Sequence, residues 1–351
     1  MTLTDLALDQ PIDARTNRED AARPAAARDL QGTFTLMLAL VWLLDAVLQM
    51  QPSMFTPGTK GLSGMLRSAA AGNPGWIAHM ITWNASIVDH HPVLTNSAFA
   101  LVQLLIGLGI VWQRTRKPAL GLSIAWAVGV WWLGEGLGGV LSGAGTPFGG
   151  GPGAVLFYAV LAVLLWPREG SDRPFVAARA LGVRGAKILW SVVWAILTLL
   201  CLLGLGRSPT ALRALVATVA RGEPGWLTHL DRFSASFLLH DGTAAAILLA
   251  IVCGAAAVSV YLPPICTQVT IVVVVVVFSV VWVAFQDVGG VLAGGATDPN
   301  SGPLVVLLAL AYWPITHERR ADRSTAERGC TRRIAEPSSV SSSRCLSSGR
   351  A

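Results

Sequence analysis

Trp131-Trp132-Leu133-Gly134-Glu135-Gly136-Leu137-Gly138-Gly139 close a stretch from Ala119 to Ser142 in which Glu135 is the sole charge. An apolar run of this length predicts a helix across a bilayer, whose hydrocarbon core takes about 20 residues. A carboxyl within such a helix is costly against lipid, so Glu135 is expected to face other helices or water. The glycines around it would let a neighbouring backbone come close. At roughly 1.5 Å per residue, Glu135 would stand about 24 Å along its span.

The rest of the chain repeats this character. Of 351 residues, 53% are hydrophobic and 13% charged, about half the charge of a soluble domain. The expected class is all-α, a polytopic transmembrane bundle of about eight spans. The spans are read at about 33–50, 96–112, 119–142, 152–166, 188–205, 242–262, 269–288 and 303–313. The valine run in the seventh would suggest a strand in water, but its length argues for a spanning helix. Residues 1–31 read as a disordered cytoplasmic tail, 168–187 as a basic cytoplasmic linker, and 315–351 as a disordered Arg/Ser-rich cytoplasmic tail. The mixed charges of the first 30 residues exclude a signal peptide. The five cysteines form no CxxC, so neither a disulfide framework nor a cysteine zinc site is expected.

Two parts of the chain resemble each other. Gly72, Pro74, Gly75, Trp76, His79, Ala85, Ser86 and His90 recur 150 positions later as Gly222, Pro224, Gly225, Trp226, His229, Ala235, Ser236 and His240. Trp131 with Gly138-Gly139-Val140-Leu141 recurs as Trp282 with Gly289-Gly290-Val291-Leu292. This predicts two four-span repeats, 32–167 and 188–314. An even span number makes them parallel, related by an axis along the membrane normal. Of the 26 Lys and Arg, 20 fall in the segments that lie inside if both termini are cytoplasmic. That excess predicts an N-in, C-in topology.

With that topology the polar groups gather toward the outer face. The candidate polar pathway is Glu135, Asp45, Asp287, Gln286, His90 and His240, since intramembrane carboxylates and imidazoles serve proton relays and ion paths. Each has a plainer alternative. Glu135 could hydrogen-bond a backbone carbonyl or a Trp N–H across helices. Asp45 could be solvated near its span's end, and Asp287 could mark the exit of its span. His90 and His91 are adjacent and so point apart on a helix, as a solvated pair would. His90 with its repeat mate His240 is the better geometric pair for a haem or a metal, although the surface reading is favoured. Met50 and Met54, spaced for a soft metal, read more simply as packing. The Gly-rich joint 145–153 lacks the Lys-Ser/Thr of a phosphate loop and reads as a tight re-entry turn.

Several of these segments carry a resemblance. Leu43-Leu44-Asp45-Ala46, Leu48-Gln49-Met50-Gln51-Pro52, Gly72-Asn73-Pro74, the Trp131–Gly139 stretch and Gly151-Pro152-Gly153-Ala154 resemble an uncharacterised family of actinobacterial polytopic integral membrane proteins. The first half carries the match; in the second, Gln286-Asp287 stand where Glu135-Gly136 would be. The span layout is more distantly similar to DoxX-like four-helix membrane proteins, in topology alone.

The expected function is transport, or a channel-like passage, for a small solute, proton or metal through an outward-facing polar cavity. The alternatives are a DoxX-like redox or quinone-associated subunit and a non-catalytic membrane scaffold or sensor. No catalytic residue, metal-ligand set or cofactor is assigned. The expected partner is the lipid bilayer of a bacterial cytoplasmic membrane, with a homo-oligomer or a membrane partner subunit as further candidates and no nucleic acid.

Overall fold

The computed structural model describes residues 12–168, 173–204 and 224–315, with side chains from 30 onward apart from that of 60. The expectations for 1–11, 169–172, 205–223 and 316–351, including the repeat position Gly222, lie outside the described residues. Met1–Pro314 belong to one unit and Ile315–Ala351 to another.

Every regular element among the described residues is a helix, and no strand occurs among them. In chain order the helices are α1 (Ile12–Gln49), α2 (Leu62–Ala70), α3 (Gly75–His90), α4 (Pro92–Val111), α5 (Arg116–Leu133), α6 (Ala154–Leu164), α7 (Ala178–Gly204), α8 (Gly225–Ser259), α9 (Pro264–Ala284) and α10 (Ser301–Leu310). Five stretches are long and apolar enough to cross a membrane: Leu30–Gln49, Pro92–Val111, Ala178–Gly204, Gly225–Ser259 and Pro264–Ala293. α6 and α10 are apolar but short, at 11 and 10 residues.

These long helices turn apolar side chains outward. Leu101, Leu104, Leu105 and Leu108 of α4 are exposed, as are Val269, Val272, Val276 and Val280 of α9. A chain with stripes of this kind needs a lipid solvent, and the protein is a helical membrane protein. The valine run 272–277 lies inside α9. β-branched residues cost a helix only tenths of a kcal/mol each, which length and an apolar setting override.

α3 and α4 are separate helices, whereas α8 runs unbroken through the corresponding 35 residues. Pro92 accounts for the break. It has no N–H to donate and its ring would clash with the carbonyl four residues back, so His91 leaves the helical region at φ −132°, ψ 55°. Gly242 stands at the matching place in α8 and carries no such clash.

Helices meet through small residues and single polar bonds, as expected where lipid replaces water. Trp42 on α1 donates to Ser123 Oγ on α5 at 3.0 Å, and its ring lies 4.5 Å from that of Tyr158 on α6. Gln49 and Asn96 clasp α1 to α4, the Gln49 amide donating to Asn96 Oδ1 and the Asn96 amide donating to Gln49 O at 2.8 Å. Elsewhere, Trp190 on α7 donates to Ala256 O on α8 at 2.5 Å, and Tyr312 donates to Ala186 O at 2.7 Å. α2 and α3 hold a smaller core of their own around Met54, Leu66, Ile77 and Ile81.

Candidate functional site

α5 ends at Leu133, two residues before Glu135, so the carboxyl does not lie within a spanning helix as the apolar run predicts. The N–H groups of Gly134 and Glu135 both donate to Val130 O, at 2.7 and 2.9 Å, and the bonds that follow reach only three residues back, from Gly138 N to Glu135 O at 3.0 Å and from Gly139 N to Gly136 O at 3.2 Å. Gly136, Leu137, Gly138 and Gly139 then take φ of 59°, 56°, 62° and 70°. Four successive left-handed residues wind a short turn of reversed hand. That conformation costs an L-residue about 1–2 kcal/mol, and glycine escapes the cost. Glycine is also sterically required at 138, where a Cβ would overlap the Pro152 carbonyl.

A second turn of reversed hand follows α9. Asp287, Val288, Gly289 and Gly290 have φ of 51°, 51°, 75° and 68°. The braces around the two turns match. Trp131 donates from Nε1 to Pro152 O at 2.6 Å, and Trp282 donates to Pro299 O at 2.8 Å. Glu135 Oε1 accepts from Val155 N at 3.4 Å in the first turn of α6, and Gln286 Oε1 accepts from Gly302 N at 3.1 Å in the first turn of α10. Each side chain thereby meets one of the N–H groups that a helix start leaves free.

The two side chains differ in what remains. Gln286 donates from Nε2 to Pro147 O at 2.9 Å and to Ser301 Oγ at 3.0 Å, so both ends of its amide are used. Glu135 Oε2 is buried and bonds to no protein atom. Gly153 keeps space for it, since a Cβ there would strike Oε2.

Two cavities meet at Glu135. The first, of about 450 Å³, runs among α1, α2, α4 and α5. Its walls are largely apolar, including Trp42, Leu66, Phe99, Trp126 and Val130; its polar groups are Asp45, Gln49, Asn84, Gln103, Glu135 and Asp298. The second, of about 400 Å³, is lined mostly by the backbone of the Gly-rich joints, from Gly149-Gly150-Gly151 to Gly295 and Asn300. Gly134, Glu135, Thr297 and Asp298 border both. Among the described residues no Lys, Arg or His lines either cavity.

Asp298 is close enough for its charge to act on both Asp45 and Glu135, and the Tyr158 hydroxyl lies against Asp45. Asp45 is 1% exposed, and its Oδ1, like Gln103 Oε1, bonds to no protein atom. Asp298 is held by its own loop, accepting from Asn300 N at 2.8 Å and from Thr297 Oγ1 at 3.0 Å. Among the described residues no group of three His, Cys, Asp or Glu is arranged to hold a metal ion.

The structure brings together only part of the candidate pathway. Asp45 and Glu135 line the first cavity. Gln286 braces the α10 start, and Asp287 is buried in the second reversed turn; neither lines either cavity. His90 and His240 are exposed and pair with their own helices, Nδ1 to Ser86 O at 2.6 Å and to Ser236 O at 2.8 Å. Met54 is fully buried in the α2–α3 core.

Asp298, Tyr158 and Gln103 were not among the expected site residues. Asp298 reads in sequence as a turn residue in Thr297-Asp298-Pro299-Asn300. Gln103 carried a signal: with Asn96 it forms a polar pair seven residues apart, on one face of an apolar helix.

Asp89, next to His90, has a structural task outside the spans. Its carboxylate accepts from Gly58 N at 2.7 Å, Ser63 Oγ at 2.9 Å and Arg67 Nη2 at 3.0 Å. The Gly58 N–H above all, then Arg67 and Ser63, hold its pKa down at about 2.

Fold and site together define a helical membrane protein with a half-buried acidic septum, Glu135 and Asp298, between two cavities. No protein-family model, curated protein or solved structure matches the chain.

Proposed function

We propose that the protein is a carrier or channel-like protein of the bacterial cytoplasmic membrane that passes a small positively charged solute, a proton included. The observation that carries this reading is the position of Glu135 and Asp298, which border both cavities with no basic side chain beside them. Carboxyls withdrawn from water, half-buried at Glu135 and Asp298 and fully buried at Asp45, call for a proton or another cation to offset their charge when no basic partner is beside them. The absence of a chelating group among the described residues favours charge compensation over metal binding.

In this reading the bundle consists of two parallel four-span repeats, N-in and C-in. The paired reversed turns, paired Trp-to-Pro bonds and paired helix-start acceptors support the duplication. α6 and α10 span about 15 Å each at 1.5 Å per residue, half a hydrocarbon core. The Gly-rich joints before them would then sit at membrane depth. Irregular backbone is tolerated there when buried in protein or lining a water-filled cavity, which suits the second cavity. The first half supplies most of the site, and the second adds Thr297 and Asp298. At the 150-residue spacing Asn96 and Gln103 correspond to Ala246 and Cys253, both buried and apolar.

The test is electrical. Full-length protein in proteoliposomes on a solid-supported membrane is stepped in pH and in small-cation concentration. A transient current that is lost in Glu135→Gln is expected. A silent wild type overturns the reading in favour of a scaffold, and a Glu135→Gln variant of undiminished current overturns the place of Glu135 in the path.

A further inference from the structure

The first cavity reaches the lipid-facing surface of the bundle. α4 and α5 are pressed together beside their connecting turn, where a Cβ on Gly109 would lie 2.8 Å from Ala119 Cβ. Further along, the wall between them is formed by Phe99 on α4 and by Leu122, Ala125, Trp126 and Gly129 on α5. Leu122 is 44% exposed, Ala125 is exposed as well, and nothing lies within 4 Å of a Cβ placed on Gly129. Phe99 meets Trp126 edge-on, with ring centroids 5.4 Å apart. This side opening lies between helices whose outer surface is leucine and valine, so it faces acyl chains and not bulk water.

The deep end has the opposite chemistry. Asp45 Oδ1, Glu135 Oε2 and Gln103 Oε1 are buried acceptors that bond to no protein atom, on residues lining one cavity. A primary ammonium offers three N–H donors and no acceptor. The aromatic faces of Trp42 and Trp126 add to the attraction of a cation. The remaining wall is apolar and matches a hydrocarbon body.

We infer that the first cavity is a binding site for an amphipathic primary amine, which enters from the bilayer between α4 and α5 past Phe99 and Trp126 and sets its ammonium among Asp45, Glu135 and Gln103. This names a substrate class for the carrier proposed above and rests on that reading. The occupant is a lipophilic monocation, and the second cavity is its polar route beyond Glu135 and Asp298.

The test is calorimetric titration of full-length protein in lipid nanodiscs with 4-phenylbutylamine and with 4-phenylbutanol, which shares the body and lacks the charge. The amine is expected to bind saturably and at least about tenfold more tightly than the alcohol, the factor of one charge-assisted bond. Asp45→Asn is expected to remove that preference, and Gly129→Trp, which fills the opening, to abolish binding. Equal affinity for amine and alcohol, or saturable binding of neither by wild type, overturns the inference even if the variants misfold. If currents occur in proteoliposomes but the amine does not bind, the substrate class falls and the carrier stands. If the amine binds but no current is seen under any cation step, the site stands and the carrier falls.

Discussion

Glu135 and Gln286 each leave the end of a long helix and accept a backbone N–H from the start of the next, Val155 at 3.4 Å and Gly302 at 3.1 Å. Gln286 spends its amide on Pro147 O and Ser301 Oγ as well, while Glu135 Oε2 remains without a protein partner. One side chain is fully committed to the fold and the other has a buried oxygen to spare.

That contrast separates stability from function. Gln286→Ala strips three hydrogen bonds from a buried position, leaving the Gly302 N–H unanswered, and is expected to destabilise by about 2–3 kcal/mol. Glu135→Gln keeps an acceptor for Val155 and is expected to change stability by less than about 1 kcal/mol. Equilibrium unfolding in detergent with a chemical denaturant measures both. A Glu135→Gln variant that unfolds as readily as Gln286→Ala would make Glu135 a structural residue.

The reversed turns depend on glycine for both conformation and space. Gly138→Ala combines φ 62° with overlap on the Pro152 carbonyl. It is expected to cost at least about 1–2 kcal/mol, the left-handed penalty alone. Gly129→Ala, in α5 with open space around it, is expected to be neutral or to stabilise by up to about 1 kcal/mol. Thermal melts of the two variants side by side give the comparison.

Asp89 ties the segment Gly58–Arg67 to the end of α3, with its pKa held at about 2. A depressed carboxyl stabilises the fold above its unfolded pKa of about 3.9, and that contribution fades as pH falls toward the folded value. The tie is therefore expected to be intact at pH 5 and above, and to be lost between about pH 4 and about 2. Hydrogen exchange of the Gly58 amide, corrected for its intrinsic pH dependence, should show protection falling through that window. Asp89→Asn should remove the pH dependence.

How far these features were legible beforehand differs by element. The long spans were readable because length and composition decide a helix in lipid, even through six consecutive valines. The break at Pro92 follows from one missing N–H. The stretch around Glu135 could be singled out as unusual, but its backbone could not be read. Glycines advertise freedom without a direction, and Leu137, Asp287 and Val288 share the left-handed conformation against their own preference. Asp298 was hidden for another reason. Its local bonds to Thr297 and Asn300 make it look like a turn residue, and only folding sets it beside Glu135, 163 positions earlier in the chain. His90 and His240 drew notice as a repeated pair, yet a carbonyl four residues back on the same helix was available to each ring.

The most direct measurement concerns the water side of the acidic septum. Ala69 lines the second cavity beside Glu135 and Asp298. In a background with Cys266, Cys330 and Cys345 replaced by Ser, Ala69→Cys is treated with a membrane-impermeant thiol reagent, in intact cells and in inverted vesicles. Modification from the outside and protection from the cytoplasmic side are expected. Modification from the cytoplasmic side, or from neither, would contradict an acidic path that opens outward at Glu135 and Asp298.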